Sequence, residues 1–218
     1  MFSSHLRMRF LQIVLFILGI SFNSSAQIDR PELIEGDLVF QDLDCGPLCD
    51  AIEAVTEGFQ GRDFSHVALI VKINGELRAV EAIGTYVKST SIDSLFLRCP
   101  NPSKYLAMRL IPEYKYLIKH ASEYAISTIG KAYDDRFIMD NDSLYCSELI
   151  YHAFESHKKN SKLFYLQPMT YKNPSNNQFF AAWVDYYKSL QSFIPEGLMG
   201  INPGLISRSP FLQVVNSK

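Results

Sequence analysis

The densest β-rich runs of the chain are His66-Val-Ala-Leu-Ile-Val-Lys-Ile73 and Glu76-Leu-Arg-Ala-Val-Glu-Ala-Ile83, joined by Asn74-Gly75. Both residues of a two-residue hairpin turn must take φ > 0, so an Asn-Gly pair between strands predicts a hairpin and fixes its register. Ile73 then faces Glu76, and the numbers of cross-strand partners sum to 149. His66 falls opposite Ile83 and Ala68 opposite Glu81. Because side chains alternate with period two, His66 and Glu81 share one face as diagonal neighbours, with Cα atoms roughly 7–8 Å apart. A carboxylate there is within reach of the imidazole. The alternative is a strand-end pair on an exposed edge, contributing little.

A pattern of helical period begins near Ser143. Cys146, Leu149, Ile150, Ala153 and Phe154 fall at i, i+3, i+4, i+7 and i+8 and form one apolar face. Asp142 or Ser143 can cap this helix, since a short side-chain oxygen accepts a bond from a free first-turn N–H. Cys146 is thus expected in the first turn, facing inward. A thiol in that place is either a small core hydrophobe or a thiolate favoured by the positive helix end. Further strands are predicted at 36–41, 105–111 and 211–215, and helices at about 50–59, 113–129 and 178–190. Gly130 is a natural stop for the second of these helices. Residues 161–218 are rich in aromatics, Pro and Asn and carry the weakest pattern.

Before residue 27 the pattern is of another kind. Arg7 and Arg9 precede an apolar run from Phe10 to Phe22, and Ser24 and Ala26 occupy the −3 and −1 positions of a cleavage site. The run is shorter than the roughly 20 residues of a membrane span. Residues 1–26 therefore read as a signal peptide, with no cysteine at the junction to carry a lipid. The mature protein, 27–218, is expected to be periplasmic or secreted, with no stable membrane span. No internal repeat, low-complexity tract or long linker divides it, which predicts a single domain.

Composition changes this picture little. The leader holds two of the 21 basic residues and no acid, so the mature chain has 19 basic against 23 acidic residues, a net −4. There is no basic run, which argues against nucleic acid as a partner. The four cysteines, Cys45, Cys49, Cys99 and Cys146, allow three pairings in an oxidising compartment. Cys45-Gly-Pro-Leu-Cys49 either bridges a turn or remains two thiols. As a zinc half-site it lacks a partner pair of matching spacing, so neither a metal nor a cofactor is expected.

A thiol hydrolase needs a thiolate at an electropositive spot, an imidazole to pair with it and a group that orients the imidazole. Cys146, His66 and Glu81 supply these if the helix packs its Cys146 face onto the hairpin. The blocks Gly36-Asp-Leu-Val-Phe-Gln41, Ser65-His-Val-Ala-Leu-Ile-Val71, Val80-Glu-Ala-Ile-Gly84, Gly130-Lys-Ala-Tyr-Asp134 and Tyr145-Cys-Ser-Glu-Leu-Ile150, taken in order, resemble the YiiX/YaeF-like family. These are circularly permuted members of the NlpC-type papain-like superfamily, in which the His and its partner precede the Cys. The resemblance covers roughly residues 33–157. It implies an α+β papain-like (NlpC-type) fold, circularly permuted, with an antiparallel sheet packed against the helix that carries the cysteine. It also implies Cys146 as nucleophile, His66 as base and Glu81 as the residue that orients the base.

The chemistry expected is acyl transfer through a thiolate acyl-enzyme. The backbone N–H of Cys146 would meet the oxyanion, with Gln41 or Tyr145 as candidate second donors. His120, His152 and His157 are expected on the surface. The leading expectation is an exported cysteine hydrolase that cleaves an amide bond in a cell-wall peptide, with peptidoglycan peptide as substrate. The alternatives are a lipid acyl hydrolase or acyltransferase, for which the aromatic tail would line an apolar pocket, and a non-catalytic binding module on the same fold.

Overall fold

The hairpin forms in the register that Asn74-Gly75 dictates. Both turn residues lie at positive φ, 51° and 87°, and β2 (His66–Ile73) meets β3 (Glu76–Ile83) with Ile73 opposite Glu76 and Leu69 opposite Val80. This geometry comes from a computed structural model that describes residues 30–155 and 163–215. The leader read from residues 1–26, and His157, lie outside the described residues. β1 (Leu38–Gln41) pairs with β2, placing Gln41 opposite His66, and on its other side with β5 (Tyr105–Leu110). β4 (Tyr86–Ser91) and β8 (Leu212–Val214) form the edges, giving one antiparallel sheet in the order β4-β3-β2-β1-β5-β8.

The central strands are apolar on both faces because both faces are covered. Leu38, Phe40, Val67, Leu69, Val71, Val80 and Ala82 pack against α3 (Ile118–Ser127) and α4 (Cys146–Glu155) through Ala121, Ala125, Leu149 and Ile150. Val39, Ala68, Ile70 and Ala79 instead meet Leu95 and Phe96 of α2 (Ile92–Arg98). By the same alternation Gln41, His66 and Glu81 belong to the α2 face. The helix that carries the thiol therefore covers the face opposite to the imidazole, not the same face as the sequence led one to expect. His66 is the first residue of β2 and Cys146 the first of α4, so the two side chains meet around the end of the sheet.

Several elements differ from their sequence expectations for local reasons. α1 spans Pro47–Glu53, not 50–59; Pro47 fits the first helical position, whose N–H would have no partner anyway. The 113–129 segment divides into a 3₁₀ turn, Pro112–Leu117, and α3. β4 and α2 had no expectation. β4 is a largely polar edge strand, and α2 is announced only by its cap, Ser91, which accepts a bond from the Ser94 N–H at 3.1 Å. Cys45 and Cys49 are disulfide-bonded, with Cα atoms 5.3 Å apart, while Cys99 and Cys146 are free and buried. No helix among the described residues is long and apolar enough to cross a membrane.

The tail is built into this body. A two-stranded ribbon of β6 (Gln167–Pro168) and β7 (Met199–Gly200), α5 (Ala181–Ser189) and α6 (Pro203–Ser207) precede β8. Trp183 and Tyr187 of α5 bury with Tyr171 and with Ala51 of α1 in a separate apolar cluster.

Candidate active site

α4 begins at Cys146 because of a carboxylate on its own first turn. Glu148, wholly buried at the third helical position, accepts hydrogen bonds from the Tyr145 N–H at 3.4 Å and the Asp140 N–H at 3.1 Å. This is the reciprocal half of a capping box, in which the N3 side chain reaches back to the residue before the helix. Ser143, one of the two residues expected as the cap with Asp142, instead donates its hydroxyl to Asn141 at 2.5 Å. Burial raises the Glu148 pKa, and His152 at 3.5 Å opposes that rise. His152, expected on the surface, is thus a partner of the cap. Ser147 donates to the Ile201 carbonyl at 3.0 Å and ties the helix start to the tail.

On the other side of the sheet end, His66 Nε2 and Glu81 Oε2 are 2.7 Å apart, both side chains being buried. The diagonal hairpin pair read from the register is therefore in direct contact. With Nε2 engaged by Glu81, Nδ1 is the ring nitrogen left for Cys146, the first residue of α4. Burial by itself would lower the His66 pKa, but the hydrogen bonds and negative charges of Cys146 and Glu81 prevail and raise it to about 9. Burial likewise opposes the charge on Glu81, and the His66 and Arg98 contacts override it, holding the carboxyl well below the usual carboxylate range. Glu81 also accepts from the Thr90 hydroxyl at 2.6 Å and from both ends of the Arg98 guanidinium, at 3.0 and 2.8 Å. Arg98 and Thr90 were not singled out from the sequence; they sit on α2 and β4.

The two side chains named as second oxyanion donors are committed elsewhere. Gln41 donates its amide N–H to the Leu95 carbonyl at 2.8 Å and its oxygen accepts from Arg98 at 2.6 Å, on the α2 face. Tyr145 donates to the Met139 sulfur at 3.0 Å and accepts from the Ile201 N–H at 3.3 Å. Tyr133 stands closer to the requirement. It shares with Cys146 the lining of a narrow apolar cavity of about 50 Å³. Burial first, and the neighbouring Cys146 second, keep its pKa well above the ordinary value, so it remains a donor. The signal for it was present in Gly130-Lys-Ala-Tyr-Asp134, where Tyr133 had been given no role.

The rest of the cavity wall is aromatic and comes largely from the tail. Tyr171, Trp183, Met169, Ile201 and Pro203 face Phe137, Tyr145 and Ile52 across it. Phe137 and Tyr171 each make an edge-to-face contact with Trp183, at 5.7 and 4.9 Å between centroids. The expectation that the tail would line an apolar pocket thus has a physical counterpart next to the thiol.

A family model described as permuted papain-like amidase enzymes, YaeF/YiiX, C92 family, matches residues 32–216. The crystal structure of the metalloprotein YiiX from Escherichia coli O157:H7 superposes with a TM-score of 0.69 at 23% identity, covering 84% of this chain and 97% of that one. Among curated proteins none matches the sequence. Among the described residues here, no group of three or more His, Cys, Asp or Glu is placed to hold a metal ion. His66 and Glu81 are committed to each other, to Cys146 and to Arg98.

Proposed function

Because the chain belongs to the YaeF/YiiX family of permuted papain-like amidases, we propose that it is an exported cysteine hydrolase in which Cys146 attacks an amide carbonyl of a cell-wall peptide. One observation carries the catalytic assignment. His66 has a ring nitrogen 2.7 Å from Glu81, a buried carboxylate, and stands near enough to Cys146, at the first turn of a helix, for the thiol to help raise its pKa. Export rests on the leader pattern of residues 1–26, and the cell-wall substrate on the compartment that export implies.

The reaction runs in two halves. His66 holds its proton from the start, so the Cys146 sulfur attacks the carbonyl carbon as the thiolate while Glu81 stabilises the imidazolium through Nε2–H. The oxygen takes up negative charge at the Cys146 backbone N–H, one of the first-turn donors with no partner inside the helix, and at the Tyr133 hydroxyl. His66 then protonates the amide nitrogen as the C–N bond breaks, leaving a thioester. In the second half His66 takes a proton from water, the oxygen attacks the thioester, and the sulfur departs as the thiolate beside the protonated imidazole.

Release of peptides from purified peptidoglycan by the wild type, absent in Cys146→Ala, tests this reading. No release by the wild type overturns the cell-wall substrate. A second reading, a lipid acyl hydrolase or acyltransferase, is favoured by the aromatic cavity beside Cys146. Turnover of acyl-lipid substrates without peptide release selects it.

A further inference from the structure

Glu81 is an uncommon orienting group in that it is held from behind. The carboxylate is wholly buried, and a carboxylate that only had to hold one imidazole would need only one further partner to satisfy its other oxygen. Thr90 already provides that partner at 2.6 Å. Arg98 adds a two-pronged contact, one guanidinium nitrogen on each oxygen, at 3.0 and 2.8 Å. Such a fork fixes the plane of a carboxylate as well as its charge, which a lysine cannot do. The fork is itself aimed. Arg98 is the last residue of α2, and the nitrogen that bonds Glu81 Oε2 also bonds Gln41 Oε1 at 2.6 Å. Gln41 is in turn anchored by its amide to the Leu95 carbonyl in the same helix. Gln41 and His66 are cross-strand partners at the end of the sheet. The chain of contacts thus runs Leu95, Gln41, Arg98, Glu81, His66, and ends beside Cys146.

We propose that Arg98 is a positioning residue for this centre: its fork, aimed by Gln41, holds the Glu81 carboxylate in the plane and charge state that set the His66 ring against Cys146. The proposal rests on the Cys146–His66–Glu81 reading above. It separates Arg98 from an ordinary surface cation, since its side chain is 25% exposed while the group it holds is fully buried. A cation beside a cluster of titrating groups makes each proton easier to remove, so its loss moves every titration in the cluster to higher pH. A fork exchanged for a point charge leaves the titrations in place but loosens the geometry.

The test needs no substrate. Alkylation of Cys146 by iodoacetamide, resolved from Cys99 by peptide mass analysis, is followed from pH 5 to 10 in wild type, Arg98→Met, Arg98→Lys and His66→Gln. In Arg98→Met both limbs of the rate profile should move up by at least about one pH unit. In Arg98→Lys the limbs should stay, while the plateau falls on the order of tenfold because the imidazole is no longer held at its distance. A purely structural role for Arg98 lowers the melting temperature and leaves the limbs and plateau of the folded fraction unchanged, and that result overturns the proposal. If Arg98→Met does not fold, Arg98→Lys decides: a profile superimposed on the wild type overturns the proposal, and a lowered plateau with unmoved limbs supports it. Wild-type alkylation no faster than that of His66→Gln shows a different failure, that of the underlying assignment, and the proposal falls with it.

Discussion

Raising the pH through 9 should strip the fold of about 3 kcal/mol through His66. The imidazole is fully buried, yet Cys146 and Glu81 hold its proton so firmly that it leaves only near pH 9, whereas in the unfolded chain it leaves near 6.5. Below 6.5 both states carry the proton and the stabilisation is fully present. Between 6.5 and about 9 the unfolded state releases its proton and the folded state does not, so stability falls at up to about 1.4 kcal/mol per pH unit. Above 9 the contribution is gone. A displacement from 6.5 to about 9 corresponds to the stated 3 kcal/mol. The loss belongs to the Cys146–His66–Glu81 cluster as a unit, and the depressed Glu81 value describes the same contacts from the other side and is not added. Glu53 has a raised pKa of about 7, burial being the main cause. By the same sign rule its contribution is lost between about 4.5 and 7, mostly below the His66 window. Urea unfolding followed by Trp183, the one tryptophan, at intervals from pH 6 to 9.5 measures the slope in wild type and in His66→Asn. The wild type should lose about 3 kcal/mol relative to the variant, with equal m-values. Parallel curves, differing in slope by less than about 0.5 kcal/mol across the range, would refute the reasoning.

Three further outcomes follow from packing and connectivity. Trp183→Ala removes the ring that Phe137, Tyr171, Tyr186 and Tyr187 surround and should cost about 3–5 kcal/mol, read by circular dichroism during urea unfolding. A Cβ at Gly204 would overlap the carbonyl oxygens of Thr56 and Glu57, backbone atoms that cannot swing aside. Gly204→Ala should therefore lose about 1–3 kcal/mol, and an unchanged melting temperature would show that the approach is looser than described. Reduction of Cys45–Cys49, a bridge between residues four apart in sequence, should lower stability by about 2 kcal/mol on loop-closure entropy, measured by unfolding with and without dithiothreitol.

Legibility in the sequence followed the range over which each signal acts. The Asn74-Gly75 turn and a period of two are local, and they were enough to bring His66 and Glu81 into contact. The 3.6-residue period placed Cys146 at a helix start. What these signals could not convey was which face of the sheet each helix covers, because β1, β2 and β3 are apolar on both. The thiol and the imidazole consequently meet past a strand end and not across a face. Arg98 and Thr90 lie on elements with polar, half-exposed patterns, and their partner is supplied only by the fold. Gln41 and Tyr145 stand at the right strand end and beside the right helix in sequence. Their polar atoms are used to hold the frame, while Tyr133, from the loop before α4, lines the cavity beside Cys146. The tail carries no period because its aromatic side chains converge from turns and short elements.

That tail has a consequence in time. The thiol, the imidazole and the carboxylate all lie before residue 147, but Met169, Tyr171, Trp183, Ile201 and Pro203 complete the cavity wall beside Cys146, and β8 closes the edge of β5 last. A ribosome therefore delivers the reactive groups well before their enclosure. The residues that shape the cavity, and Ile201, which holds the start of α4 through Ser147 and Tyr145, are thus the last to be made.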